Sequence, residues 1–308
     1  MPAVQTMFPA LGTVNTITLY DTPQKLPADC ARSLICSLDR SLSVFRPDSE
    51  ISRLNARAGC GWTEISPDAF SVFRESLRCS ELTDGAFDVT AGPLSALWRD
   101  AIRERKLPSA RDIRRARRLT GYRDLQLDDM NSRARLRKAG QSVDLGGIAK
   151  GYAAGRAAGI LRDAGVSNAV INLGGTVGVL GRAQTVGIQD PCRPTGTPLG
   201  SLTLKDAFAV TSGGYERGFT IDGVRRHHII DPRTGTPSDS GLLSVTLVGR
   251  RPAELDALAT AVFILGAEAS MPLLRERDIG AVFVTEEGGV FITPDLSPDF
   301  KLYRQKGA

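Results

Sequence analysis

The chain has 308 residues, 42% of them apolar, which is enough to bury a large core as one domain or as two closely packed ones. Its net charge of +5 suggests a polyanionic partner until it is localised: residues 99–138 hold fourteen Lys and Arg against six Asp and Glu, so the rest of the chain is net negative and the basic character is regional. The longest apolar stretch, residues 257–265, is about half of what a bilayer span needs and is interrupted by Thr260, which excludes a transmembrane helix.

The first six residues, Met-Pro-Ala-Val-Gln-Thr, lack the basic start, apolar centre and cleavage site of an export signal, and a cytoplasmic location is the expectation. Residues 13–20 alternate like a strand. After Pro27, Ala31, Leu34, Ile35 and Leu38 recur at helical spacing. A second helix starts at Ser66, with Pro67 at its first position and Phe70, Phe73 and Leu77 inward, and stops near Gly85. Ser109 and Asp112 form a capping pair for a third helix, which Gly121 ends and whose outer face carries Arg111, Arg114, Arg115, Arg117 and Arg118. No aromatic residue is interleaved with those arginines, so a solvated face is expected there and nucleic acid is not an expected partner. The five cysteines, Cys30, Cys36, Cys60, Cys79 and Cys192, are odd in number and scattered, with no C-x-x-C and no adjacent histidine, and read as reduced, buried thiols.

Residues 143–154, V-D-L-G-G-I-A-K-G-Y-A-A, follow a short apolar run and open a helix. Gly146, Gly147 and Gly151 admit a close ligand, and the unpaired N–H groups of the first helical turn favour phosphate, with Asp144 and Lys150 adding one charge of each sign. The same glycines also suit tight packing of helix on sheet. Farther on, Gly174-Gly175-Thr176-Val177-Gly178 is not G-x-G-x-x-G, and no G-x-x-x-x-G-K-[ST] loop occurs, so neither a nicotinamide-binding Rossmann domain nor a phosphate loop is expected.

Both histidines of the chain lie in R-R-H-H-I-I-D-P-R-T-G-T-P, residues 225–237. If residues 224–230 form one strand, His227 and His228 point to opposite faces, which argues against a two-histidine metal site. Asp231 to Gly235 reads as a turn, and a histidine before it is either a general base or a solvent-facing strand residue. Residues 242–248 read as a strand. The next helix runs from Pro252 to a stop at Gly266 and aligns Asp256 and Thr260, four apart, on one face. Two hard oxygens suit Mg²⁺, which fills its octahedron with water and substrate phosphate; alternatively Asp256 pairs with an arginine and Thr260 bonds back to its own helix. Residues 281–285 and 290–293 form a hairpin around Glu286-Glu287-Gly288-Gly289. Strands joined partly by hairpins and partly through helices point to an α+β fold with mixed, largely antiparallel sheets and packed helices.

Seven segments, taken in order, resemble the ApbE family of FAD:protein FMN transferases over nearly the whole chain. They are S-V-F-R-P-D-S-E-I-S-R-L-N (43–55), G-A-F-D-V-T-A-G-P-L (85–94), D-L-G-G-I-A-K-G-Y-A (144–153), I-N-L-G-G-T (171–176), T-S-G-G-Y-E-R (211–217), H-I-I-D-P-R-T-G (228–235) and D-A-L-A-T (256–260). The resemblance implies a single ApbE-like domain and a metal held by Asp256, Thr260 and the main chain of Gly147. It implies FAD contacts at Ala86, Phe87, Asp88, Asp144, Lys150 and Ile230, with Phe45 on the flavin side and Asn55 near the metal. The family's usual Met-Gly-Thr is here Leu11-Gly12-Thr13, so Leu11 replaces a thioether against the flavin. The implied reaction moves the FMN half of FAD onto a Thr or Ser hydroxyl of an acceptor flavoprotein, with Mg²⁺ as cofactor and AMP as leaving group. His228 is the expected base and Asp231 the second choice. Hydrolysis of FAD to FMN and AMP, and a non-catalytic flavin-binding maturation module, are the alternatives.

Overall fold

The computed structural model describes residues 3–215, 218–221 and 224–303. Eight strands form its central sheet: Val4–Ala10, Thr13–Leu19, Ala169–Asn172, Thr176–Leu180, Ala207–Gly213, Leu242–Gly249, Gly280–Thr285 and Val290–Ile292. They lie side by side in chain order, and every neighbouring pair is antiparallel. The expected α+β architecture is thus present, with helices inserted between neighbouring strands rather than wound around a parallel sheet.

Side chains on the middle strands divide between two cores with the period of two that a pleated strand imposes. Phe208, Val210, Val245, Leu247, Ala281 and Phe283 enter the larger core under the helices. Ala209, Val248 and Val282 face the other way, toward Ile188, Leu202 and Leu204 of a small sheet made by Gln184–Gln189, Pro198–Leu204 and Phe300–Leu302. The molecule is therefore layered as small sheet, large sheet and helices. The helix layer comprises Leu26–Leu42, Ala149–Asp163 and Pro252–Leu265, packed on one another, with Pro67–Leu82 lying on the last of these.

Most helix ends follow local chemistry. Ser66 accepts from Ala69 N–H ahead of Pro67, Ser109 accepts from Asp112 N–H, and Gly266 at φ +85° stops the helix that begins at Pro252. The first strand was not anticipated. It contains Pro9, which is tolerated because Val4–Ala10 is an edge of the sheet. Leu11 and Gly12 do not begin the second strand; both have positive φ and form the two-residue turn between Ala10 and Thr13. All five cysteines are free, but Cys30, Cys60 and Cys192 are exposed rather than buried. Burial pushes the Cys79 thiol up to about 12, so it stays protonated.

Candidate active site

The turns at one end of the large sheet form a platform. Leu11 and Gly12, the 173–175 turn, the end of Ala207–Gly213 and the start of Leu242–Gly249 all fall there, and a Cβ on Gly174 would stand 3.1 Å from the Thr13 side chain. Above it, the helix Ala149–Asp163 begins without a side-chain cap of its own, because Ile148 has no oxygen to offer. The missing acceptor comes from another helix: Asp256 Oδ2 accepts the Gly151 N–H at 2.8 Å. A Cβ on Gly151 would stand 2.0 Å from the Pro252 carbonyl oxygen, so glycine is required for the two helices to approach this closely.

Three of the seven segments meet at the next residue pair. A Cβ on Gly147 would lie 3.1 Å from Thr260 Oγ1 and 3.3 Å from Phe87 Cε2, which puts the 144–147 bend against the Asp256 helix on one side and the G-A-F-D segment on the other. Asp256 is 4% exposed. Burial raises its pKa, while Lys150 and the Gly151 N–H act in the opposite sense. Thr260 Oγ1 is 3.5 Å from the Asp256 carbonyl, at the limit of a back-bond. Lys150 Nζ lies 3.7 Å from where a Cβ on Gly175 would stand, so the ammonium reaches the end of the sheet. A buried carboxylate, a hydroxyl on the same helix face and the Gly147 backbone are hard oxygen donors of the kind Mg²⁺ takes. Among the described residues no three His, Cys, Asp or Glu side chains gather into a metal cage.

Several expected site residues are instead fixed to the scaffold. The Asn55 amide bonds the Val143 backbone at both ends, Nδ2 to the carbonyl at 3.1 Å and Oδ1 from the N–H at 2.8 Å, so it aligns the chain entering the bend. Asp88 is buried, and burial raises its pKa. Its carboxylate accepts from Thr90 N–H and Oγ1 and from Tyr122 N–H, which makes it the clamp of the 85–94 segment. Asp231 is held bidentately by Arg233 at 2.9 Å on each oxygen and also accepts Arg233 N–H, so it braces its turn. The Ile230 side chain packs in one cluster with Leu94, Trp98, Ala101 and Ala116.

The strand expected over 224–230 breaks after His227, and Ile230 with Asp231 begins a separate short pairing with Thr236 and Pro237. His227 is buried edge-on against Phe263, with ring centroids 5.4 Å apart, and its Nδ1 accepts Ile229 N–H at 3.2 Å. Burial lowers its pKa to about 4, which leaves it a weak base. His228 sits half-buried at the break. Of the T-S-G-G-Y-E-R segment, Glu216 and Arg217 lie outside the described residues. Asp144 Oδ1 accepts Gly146 N–H at 2.9 Å, and its other oxygen lies 4.0 Å from Arg99 Nη1. Arg99 was missed in the sequence, where it is one arginine among fourteen basic residues; its guanidinium lies 4.7 Å from the Phe45 ring centroid.

A sequence profile of the ApbE family matches residues 11–283. The chain belongs to the ApbE family. A protein from Klebsiella pneumoniae strain 342 named FAD:protein FMN transferase is 37% identical over 92% of this chain and 89% of its own length. One of the same name from Treponema pallidum strain Nichols is 32% identical over 89% and 82%. Among solved structures, the ApbE protein of Thermotoga maritima superposes with a TM-score of 0.87 at 31% identity, covering 97% of this chain and 99% of that one. The apo flavinyl transferase ApbE of Pseudomonas stutzeri gives 0.84 at 28% identity and covers 96% of each.

Proposed function

We propose that this ApbE protein is an Mg²⁺-dependent transferase that moves the FMN half of FAD onto a Thr or Ser hydroxyl of an acceptor flavoprotein and releases AMP. The observation that carries the reading is the meeting at Gly147: one bend touches Thr260 and Phe87 while the helix it opens is capped by Asp256. The phosphoric anhydride of FAD lies in this reading against the glycine bend of residues 146–147, with Lys150 as the adjacent cation. Asp256, Thr260 and the Gly147 backbone would hold the divalent cation, which draws charge from the phosphate oxygens when bound. Phe87 closes the apolar side of the bend.

The chemistry asks the chain for in-line positioning and one proton acceptor. The acceptor oxygen forms a bond to the FMN phosphorus, the phosphorus–oxygen bond to AMP breaks with its electron pair leaving on AMP, and the hydroxyl proton passes to a base. His228 takes that role in this reading, because His227 is held as a weak base by burial and Asp231 is paired bidentately with Arg233. The test is incubation with FAD, Mg²⁺ and an acceptor fragment bearing the target threonine. Mass spectrometry should show an FMN adduct with an equal amount of AMP, and EDTA should abolish both. AMP without a modified fragment assigns hydrolysis instead, and neither product refutes the reading.

A further inference from the structure

Charge at the bend does not balance around an anhydride. Asp144 and Asp256 oppose the single ammonium of Lys150, the anhydride of FAD adds two more negative charges and the divalent cation of the proposed function offsets two, which leaves one negative charge in excess. A second protein cation stands at the mouth. Arg99 is carried by the helix Gly92–Glu104, whose first residue is pressed against the chain entering the bend: a Cβ on Gly92 would stand 2.4 Å from Ser142 Oγ. Asp144 N–H donates to the Val89 carbonyl at 2.8 Å just ahead of that helix, and Trp98 Nε1, beside Arg99, donates to the Gly235 carbonyl at 2.9 Å. The root of Arg99 is thereby fixed to the bend and to the turn after His228.

Its head is held loosely. The guanidinium covers the ring of Phe45, which is still 69% exposed, and reaches Asp144 at 4.0 Å, the outer limit of an ion pair, with 43% of the Arg99 side chain in solvent. Both contacts are of the weak, exposed kind. We propose that Arg99 binds the dinucleotide's anhydride: its planar fork leaves Phe45 for the phosphate oxygens, which it matches bidentately, and uncovers the ring for the flavin. This rests on the flavin-transfer reading above.

The test is equilibrium titration by flavin fluorescence, with Mg²⁺ and again with EDTA, using FAD and riboflavin, which has no phosphate. Arg99→Gln should weaken FAD binding by about tenfold or more, leave riboflavin within about twofold, and make FAD binding less sensitive to salt by roughly one ion in the log–log slope. Arg99→Lys should recover part of the loss, and the melting temperature should not move. Unchanged FAD affinity in Arg99→Gln would overturn the proposal, as would an equal loss for FAD and riboflavin, which would mark Arg99 as a packing partner of Phe45. Wild-type protein that binds no FAD at all would instead refute the flavin-transfer reading itself.

Discussion

Asp256 serves two purposes that substitution separates. One carboxylate oxygen caps Gly151 N–H, and the buried charge calls for a cation. Asp256→Asn keeps an acceptor for the cap and removes the charge, so stability should hold within about 1 kcal/mol while transfer falls by roughly two to three orders of magnitude, the loss of several kcal/mol of charge stabilisation. Asp256→Ala should lose the same activity and a further ~1–2 kcal/mol of stability with the cap. AMP release and thermal melts on the two variants decide this, and an Asn variant with wild-type turnover contradicts it. His227 gives a second expectation. Its folded pKa of about 4 lies below the ordinary 6.5, so the unfolded chain binds the extra proton, and the stability present above pH 6.5 drains away as pH falls toward 4. From pH 7 to 5 the protein should lose about 2 kcal/mol through this group. His227→Gln should flatten that part of the profile, and denaturant melts at the two pH values measure it.

At the scale of elements, the contact between the helices Ala149–Asp163 and Pro252–Leu265 depends on the absence of one methyl group. Gly151→Ala would drive Cβ into the Pro252 carbonyl, an immobile backbone atom, so the helices must part and carry Asp256 away from the bend. The expected cost is on the order of 2–3 kcal/mol with weakened FAD binding, and wild-type values for both would show that the contact is soft. The helix Ala110–Arg118 behaves oppositely. Among the described residues no carboxylate lies within ion-pair distance of Arg111, Arg114, Arg115, Arg117 or Arg118, so like charges face one another at i, i+3 and i, i+4. Arg114→Glu should stabilise the protein by a few tenths of a kcal/mol through Arg118 and leave flavin affinity unchanged, as melts and titrations will show. Local signals of this kind were legible: Ser66 with Pro67, Ser109 with Asp112, and Pro252 with Gly266 place helix ends within a residue or so. Val4–Ala10 was not, because Pro9 reads as a breaker until the strand is known to be an edge. Nor was the break after His227, where the bond from Ile229 N–H to the ring turns the chain out of a run that reads as continuous.

Across the whole molecule, the polar residues of the candidate site were legible in the sequence while the contacts that support them were not. Asp256, Thr260, Lys150 and the glycines announced themselves by type and spacing. That Asn55 would be spent on Val143, 88 residues away, or Trp98 on Gly235, 137 away, follows only from how the sheet end gathers its turns. Such a site, built from segments that meet only in the folded state, binds its ligands in that state alone, so ligand binding and global stability are linked. At a hundredfold excess over Kd, FAD should add about 2.7 kcal/mol, which for a chain of this size raises Tm by roughly 5 °C. Mg²⁺ added with FAD should raise it further than the sum of each alone, since a cation held by Asp256 and Thr260 would offset the charge of the bound anhydride. In Asp256→Asn the increment due to Mg²⁺ should vanish while most of the increment due to FAD remains, because the glycine bend and Lys150 are untouched. A melt series with FAD, Mg²⁺ and both, run on wild type and variant, separates these terms; equal Mg²⁺ increments in the two proteins would place the cation away from Asp256.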